Sequence, residues 1–193
     1  GVDEYGVSAS SPVLNASDFS IEVWVKRTAN SATQEMVVSS GPQTADQQVG
    51  LGFRGSTHPT NPNSPFFSFY ANDLESNVTL IAGRWYHLAA TYNRTSGERK
   101  LYLDGKVVAS DVTATAYAGS GQLFIGSNNG TSEYFNGSID ELRLWNTVRT
   151  QTDIINNMTT SIDGDNSGLI SYYRFDQKAD AVNTVAYDNA FTN

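Results

Sequence analysis

Hydrophobic and polar positions alternate in short runs along most of this chain, and the clearest case lies between Arg84 and Ser110. From Trp85 to Tyr92 the alternation places Trp85, His87, Ala89 and Thr91 on one face of a strand. Tyr86, Leu88, Ala90 and Tyr92 fall on the other. Asn93 to Gly97 interrupts the pattern, and a second strand is predicted over Lys100 to Leu103. Asp104-Gly105 then supplies the dipeptide that tolerates the positive φ angles of a two-residue hairpin turn, with a third strand over Lys106 to Ser110.

Comparable runs cover 19–25, 35–39, 49–53, 65–70, 78–81, 122–125, 138–145 and 169–175, about eleven strands in all. Gly, Asn, Ser and Pro separate them, as at Gly41-Pro42, 55–65 and 127–137. Many short strands with such punctuation predict an all-β protein, an antiparallel β-sandwich or jelly roll. One short helix is predicted near 151–158, where Thr150 caps and Asp153 completes a capping box. Its Ile154, Ile155 and Met158 form a narrow apolar stripe suited to packing on the sandwich.

The chain has 193 residues, the size of one sizeable β domain, and a single domain over 1–193 is expected. It opens at Gly1 without an initiator Met or a charged-then-apolar leader, which suggests an excised domain or a processed protein. No apolar run approaches the roughly 20 residues that span a bilayer, so no membrane insertion is expected. Cysteine is absent, which excludes disulfides, thiolate metal sites and a Cys nucleophile. The net charge of −8 repels phosphates and disfavours nucleic acid, while the same excess of carboxylates offers ligands to calcium. Six Asn-x-Ser/Thr sequons, at Asn15, Asn77, Asn93, Asn129, Asn136 and Asn157, fit turn chemistry in an Asn- and Ser-rich chain.

Catalytic chemistry finds little support. The adjacent acids Asp140-Glu141 point to opposite faces in regular β structure, so they cannot share a cleft as a glycosidase pair must. His87 falls in a core-like strand, and His58 in a Pro- and Asn-rich loop. Asp163-Gly-Asp-Asn-Ser-Gly168 has the oxygen donors and the Gly of the first half of an EF-hand loop. Its twelfth position is Arg174 rather than Glu, so an Asx-rich turn is the better reading.

Seven ordered landmarks carry a resemblance to a known family. They are Gly1-Val-Asp-Glu-Tyr5, Phe19 to Lys26, Trp85 to Tyr92, Leu101 to Lys106, Leu123-Phe-Ile-Gly126, Phe135 to Trp145 and Gly168 to Phe175. Together they resemble a LamG-like jelly-roll domain of the concanavalin A-like lectin/glucanase superfamily, over nearly the whole chain. The resemblance implies two packed antiparallel sheets. The superfamily's hydrolases resemble a Glu-x-Asp-x-Glu spacing, which is absent from this chain. The resemblance also implies one structural Ca²⁺ where the chain ends meet, at the matching acids Asp3, Asp140 and Asp188. Such domains serve as carbohydrate-binding modules beside polysaccharide-degrading enzymes, as lectins and as adhesion domains, so the expected location is extracellular or at the cell surface.

A sugar site needs aromatic faces and hydroxyl-bonding groups in exposed positions. Trp24, Trp85 and Trp145 lie inside family-like strands and read as core. The ligand-binding candidates are therefore loop residues: Arg54, His58, Tyr70, Asn72, Asp73, Tyr117, Asn128, Asn129, Glu133 and Tyr134, whose loops can bring several of them to one rim. The expected function is non-catalytic binding of a polysaccharide or glycan. A protein-adhesion or spacer domain, in contact with other domains of the same polypeptide, is the alternative.

Overall fold

The structure, a computed structural model, describes residues 4–162 and 166–176. Its strands are β1 (Gly6–Val7), β2 (Phe19–Arg27), β3 (Glu35–Ser40), β4 (Val49–Phe53), β5 (Pro65–Ser68), β6 (Asp73–Glu75), β7 (Tyr86–Tyr92), β8 (Glu98–Leu103), β9 (Lys106–Val112), β10 (Leu123–Ile125), β11 (Gly137–Trp145) and β12 (Leu169–Tyr173), with one helix, α1 (Gln151–Asn157). They form two antiparallel six-stranded sheets, a first in the order β1-β10-β3-β4-β5-β6 and a second in the order β12-β11-β2-β7-β8-β9. The protein is thus an all-β sandwich with a short helix, as the alternation predicts.

Apolar side chains of the two inner faces meet in one cluster. Phe19, Ile21, Val23 and Val25 of β2 and Tyr86, Leu88, Ala90 and Tyr92 of β7 pack against Val38, Leu51, Phe53, Phe67 and Leu123 of the first sheet. Phe19, Phe67, Phe69, Tyr92 and Tyr117 form edge-on and tilted ring pairs with centroids 4.9–6.2 Å apart, the geometry favoured by aromatic quadrupoles. The β8–β9 hairpin turns at Asp104 (φ 47°) and Gly105 (φ 75°), as the dipeptide requires. The Asp104 carboxylate accepts from the His87 backbone N–H at 2.9 Å, tying the turn to β7. A Cβ on Gly105 would lie 2.7 Å from Ile155, so this turn also makes room for the helix.

Two differences from the sequence pattern are local. Residues 78–81 form no strand: Leu80 is buried and its N–H bonds to the Asn63 carbonyl, so one anchoring residue mimics an alternating run. Strands β1 and β6, of two and three residues, are too short to show a period.

Residues 146–162 cover the middle of the outer face of the second sheet, around Ala89 and Tyr102. Helix α1 begins with the predicted capping box, in which Thr150 Oγ1 accepts from Asp153 N at 3.1 Å and Asp153 accepts from Thr150 N at 2.9 Å. Ile154 is buried on Ala89 and Tyr102, while Ile155 stays exposed. Beneath this layer lie charged and polar side chains that alternation places outward. Glu22 is fully buried 3.7 Å from His87 and 3.6 Å from Arg149. Burial pushes the Glu22 carboxyl up to about 7, against the lowering effect of Arg143 and Arg149. Burial, with Arg143 adding to it, drives His87 down to about 3. Near neutral pH His87 is therefore uncharged, while Glu22 stands near the midpoint of its titration. Arg143 is also buried, donating to the carbonyls of Asn157 (2.8 Å) and Thr160 (2.7 Å) and pairing with Glu141.

Candidate functional site

The outer face of the first sheet is floored by small residues. On β4, Gly50 and Gly52 face outward, and they stand opposite Ser68 and Phe66 of β5, which in turn oppose Asp73 and Glu75 of β6. A Cβ on Gly52 would fall 2.2 Å from the Glu35 carbonyl oxygen, so glycine lets the β3 backbone approach closely. The strand VGLGF thus keeps its apolar side chains for the core and forms a low, buried shelf outside, over which the Met36 side chain packs at Gly50.

Arg54, two residues beyond Gly52, lies across this shelf. Its guanidinium stacks 4.2 Å over the Phe66 ring and bonds Asp73 at 2.5 Å and Glu75 at 2.6 Å. The remaining contacts extend in both directions. Toward β6, Asn61 donates to Glu75 at 2.7 Å and His58 Nε2 lies 3.8 Å from the same carboxylate. Toward β10, Arg54 donates to Gln34, Gln34 donates to Glu133 at 3.1 Å, Asn128 donates to Glu133 at 2.9 Å, and Gln48 donates to Asn128 at 2.8 Å. The result is a continuous chain of donors and acceptors from the β10–β11 loop to β6. Arg54 is only 8% exposed, yet its buried Nε has no hydrogen-bond partner.

Five of the sequence candidates, Arg54, His58, Asp73, Asn128 and Glu133, therefore meet in one array. The sequence reading missed Gln34, Gln48, Asn61 and Glu75. Glu75 had a signal: it sits two residues after Asp73 and so shares its face. Tyr70, with φ 51° and 37% exposure, stands at the edge of the array, its N–H bonded to Ser68. Glu133 and Tyr134 open onto a cleft of about 340 Å³ shared with Asn30, Thr33 and Glu35. Burial raises the carboxyl of Glu35, which pairs with Arg27 at 3.5 Å.

Three candidates serve the scaffold instead. Tyr117 is 1% exposed, its ring packed on Phe19 and Phe69, so it is core rather than a surface contact. Asn72 bonds Asp46, Thr113 and Arg99. Asn129, in the left-handed region at φ 51°, donates its side-chain amide to the Gly41 carbonyl and its backbone N–H to Ser39 Oγ.

Two expectations about the second sheet are corrected. Trp85 is 38% exposed and Trp24 half-buried, and together they wall a cleft of about 450 Å³. Only Trp145 is fully buried. Asp140 and Glu141 line that same cleft. The alternation argument fails because β11 carries one extra residue between Asp140, opposite Trp24, and Arg143, opposite Glu22. Glu141 is that bulged residue, at φ 52°, and its carboxylate turns to the side of Asp140. Burial raises the Asp140 carboxyl, and the negative charge of Glu141 raises it further.

Of the acids that the resemblance assigns to calcium, Asp3 and Asp188 lie outside the described residues, as do Asp163 to Asp165 of the EF-hand-like turn. Among the described residues, no group of three or more His, Cys, Asp or Glu side chains is placed to hold a metal ion. None of their helices is long and apolar enough to cross a membrane.

The family model Laminin_G_3, of the concanavalin A-like lectin/glucanases superfamily, matches residues 2–155. A structure from Bacteroides ovatus, described as a candidate carbohydrate-binding protein, superposes with a TM-score of 0.77 at 22% identity, covering 95% of this chain and 52% of that one. The CBM40 module of a Ruminococcus gnavus sialidase gives 0.61 at 17% identity over 75% of this chain and 84% of that one. Domain 4 of a Geobacillus stearothermophilus extracellular arabinanase, solved with arabinotriose, gives 0.57 at 17% over 75% and 68%. Mouse pappalysin-1 is 23% identical over 158 residues, 74% of this chain but 10% of that protein, so the chain spans a tenth of that relative. At these identities the structural likeness is one of fold.

Proposed function

Because this chain belongs to the Laminin_G_3 family of the concanavalin A-like lectin/glucanases superfamily, we propose that it is a non-catalytic carbohydrate-binding domain, acting through the outer face of its first sheet. The observation that carries this reading is the array running from Gln48 to Glu75 on a glycine-floored shelf. A sugar hydroxyl is both donor and acceptor, and neighbouring hydroxyls are best matched by alternating amides, carboxylates and a planar guanidinium. Asp73 and Glu75 share one Arg54 nitrogen, which suits them to accept hydrogen bonds. Carbohydrate-binding neighbours of the same fold support the reading. An extracellular or surface location, tethering to further domains of one polypeptide, and one structural Ca²⁺ belong to the same proposal. If bound, that ion would join distant segments through hard carboxylate oxygens.

A glycan array followed by titration calorimetry, with and without chelator, tests it. At least one plant, algal or animal glycan binds, and Arg54→Ala weakens binding at least about tenfold, because it removes the guanidinium that positions the Asp73 and Glu75 carboxylates. Absence of binding across the array leaves adhesion or spacing as the function. A melting temperature unchanged by chelation removes the calcium, since an ion bound to the folded state alone must stabilise it.

A further inference from the structure

A second cleft lies on the outer side of the opposite sheet. The cross-strand neighbours Trp24 and Asp140 form its floor, and Trp85 and the bulged Glu141 stand beside them. Residues Met158 to Ser161, which follow α1, close the far wall, where the Thr160 hydroxyl bonds the Asn157 carbonyl and the Ser161 hydroxyl accepts from Arg174. Its volume of about 450 Å³ falls within the range of about 300–1,000 Å³ typical of small-ligand sites.

The walls are held in place from behind. Trp24 donates its indole N–H to the Met158 carbonyl at 2.6 Å and packs edge-on against His87. Glu141 is fixed by Arg143 and the Tyr172 hydroxyl, and Arg143 also grips the Thr160 carbonyl. The left-handed backbone of a non-glycine residue such as Glu141 costs free energy, and here it turns a carboxylate into the cleft. Asp140 receives one bond, from the Glu141 N–H at 3.0 Å. Trp85 keeps 38% of its surface in solvent, although large aromatics are usually withdrawn from it.

Charge decides the class of ligand. The carboxylates of Asp140 and Glu141, together with Asp176, which acts on Asp140, are balanced by the guanidinium groups of Arg143 and Arg174 and by Lys26, whose ammonium lies 5.2 Å from the Trp85 ring centre. An anion would meet two carboxylates, and a cation would meet Lys26 over the indole it needs. A neutral polyhydroxylated ring can lay its C–H face on Trp85 while its hydroxyls reach Asp140 and the Thr159, Thr160 and Ser161 side chains. We propose that this cleft binds a single neutral sugar ring, which makes the domain bivalent, with recognition sites on both outer faces of the sandwich. The inference rests on the carbohydrate-binding reading and adds a second, independent site to it.

The experiment compares the wild type with Trp85→Leu, Asp140→Asn and Arg54→Ala, each shown to be folded by its thermal melt. Arabinotriose, xylotriose, cellotriose and sialyllactose are titrated while calorimetric stoichiometry and tryptophan fluorescence are recorded. A neutral oligosaccharide is expected to change indole fluorescence. That response and its heat should weaken at least about tenfold in Trp85→Leu and Asp140→Asn, yet persist in Arg54→Ala. Sugar binding that both cleft variants leave intact and Arg54→Ala abolishes overturns the second site while the proposed function stands. Binding lost only in the cleft variants supports the second site and removes the assignment to the first sheet. A cleft that responds to sialyllactose alone overturns the neutral-ring inference, and silence from every sugar overturns both readings.

Discussion

The two outer faces of the sandwich carry the same chemistry in opposite circumstances. On the first sheet, Arg54 lies between Asp73 and Glu75, whose side chains remain 29% and 21% exposed. On the second, Glu22, His87 and Arg143 sit under α1 and the segment around it, with Glu22 at zero exposure. Water reaches the first set, so its carboxylates can exchange a solvent contact for a ligand hydroxyl. The second set is sealed, and its shifted acid–base properties report burial rather than a site. A perturbed carboxyl is therefore a poor guide to function in this protein, because the strongest upward shift belongs to a residue nothing can reach.

Three substitutions sharpen this contrast. Arg143→Ala should cost about 3–5 kcal/mol in chemical denaturation, since it strips a buried guanidinium from Glu141, Tyr172 and two backbone carbonyls. A cost below about 1 kcal/mol would mean that the second face is as wet as the first. Glu22→Gln tests the pH dependence. A carboxyl raised to about 7 in the folded state binds its proton more tightly there than in the unfolded chain. Its contribution is therefore fully present below about pH 4.5 and fades as pH rises through about 7. Relative to wild type, the variant should gain on the order of 2–3 kcal/mol between pH 5 and 8. A constant difference would show that Glu22 does not titrate there. His87, lowered to about 3, acts oppositely, contributing stability above about pH 6.5 that is lost as pH falls through about 3. The smallest effect is expected for Thr150→Ala, about 1 kcal/mol from loss of the helix cap, read as faster amide exchange around α1. Equal acceleration in β3 and β4 would show that the helix supports both faces.

Much of the scaffold was legible because its signals are local. Asp104-Gly105, the alternation of β2 and β7, and the Thr150–Asp153 capping box each depend on neighbouring residues, and each is found where the pattern predicts. The site was legible in part. Arg54, Asp73 and Glu133 were found as polar loop residues, but Gln34 and Gln48 gave no sign of joining them because that array forms only when separate strands align. Tyr117 was misplaced because a loop position does not reveal that its ring is swallowed between Phe19 and Phe69. Glu141 was misread because alternation assumes a regular strand and β11 contains a bulge, and Trp85 because it stands just before β7 with 38% of its surface in solvent.

By itself the amino-acid order determined the strands, the tight turn, the short helix and the apolar set that must be buried, because hydrophobic period and turn stereochemistry are properties of adjacent residues. Only the tertiary structure decided which outward face is covered by α1 and which is open. It alone brought Asp140 and Glu141 into one cleft and laid Arg54 across two carboxylates. Those outcomes depend on strand register and on which layer excludes water, and both are set by contacts between residues far apart in the chain.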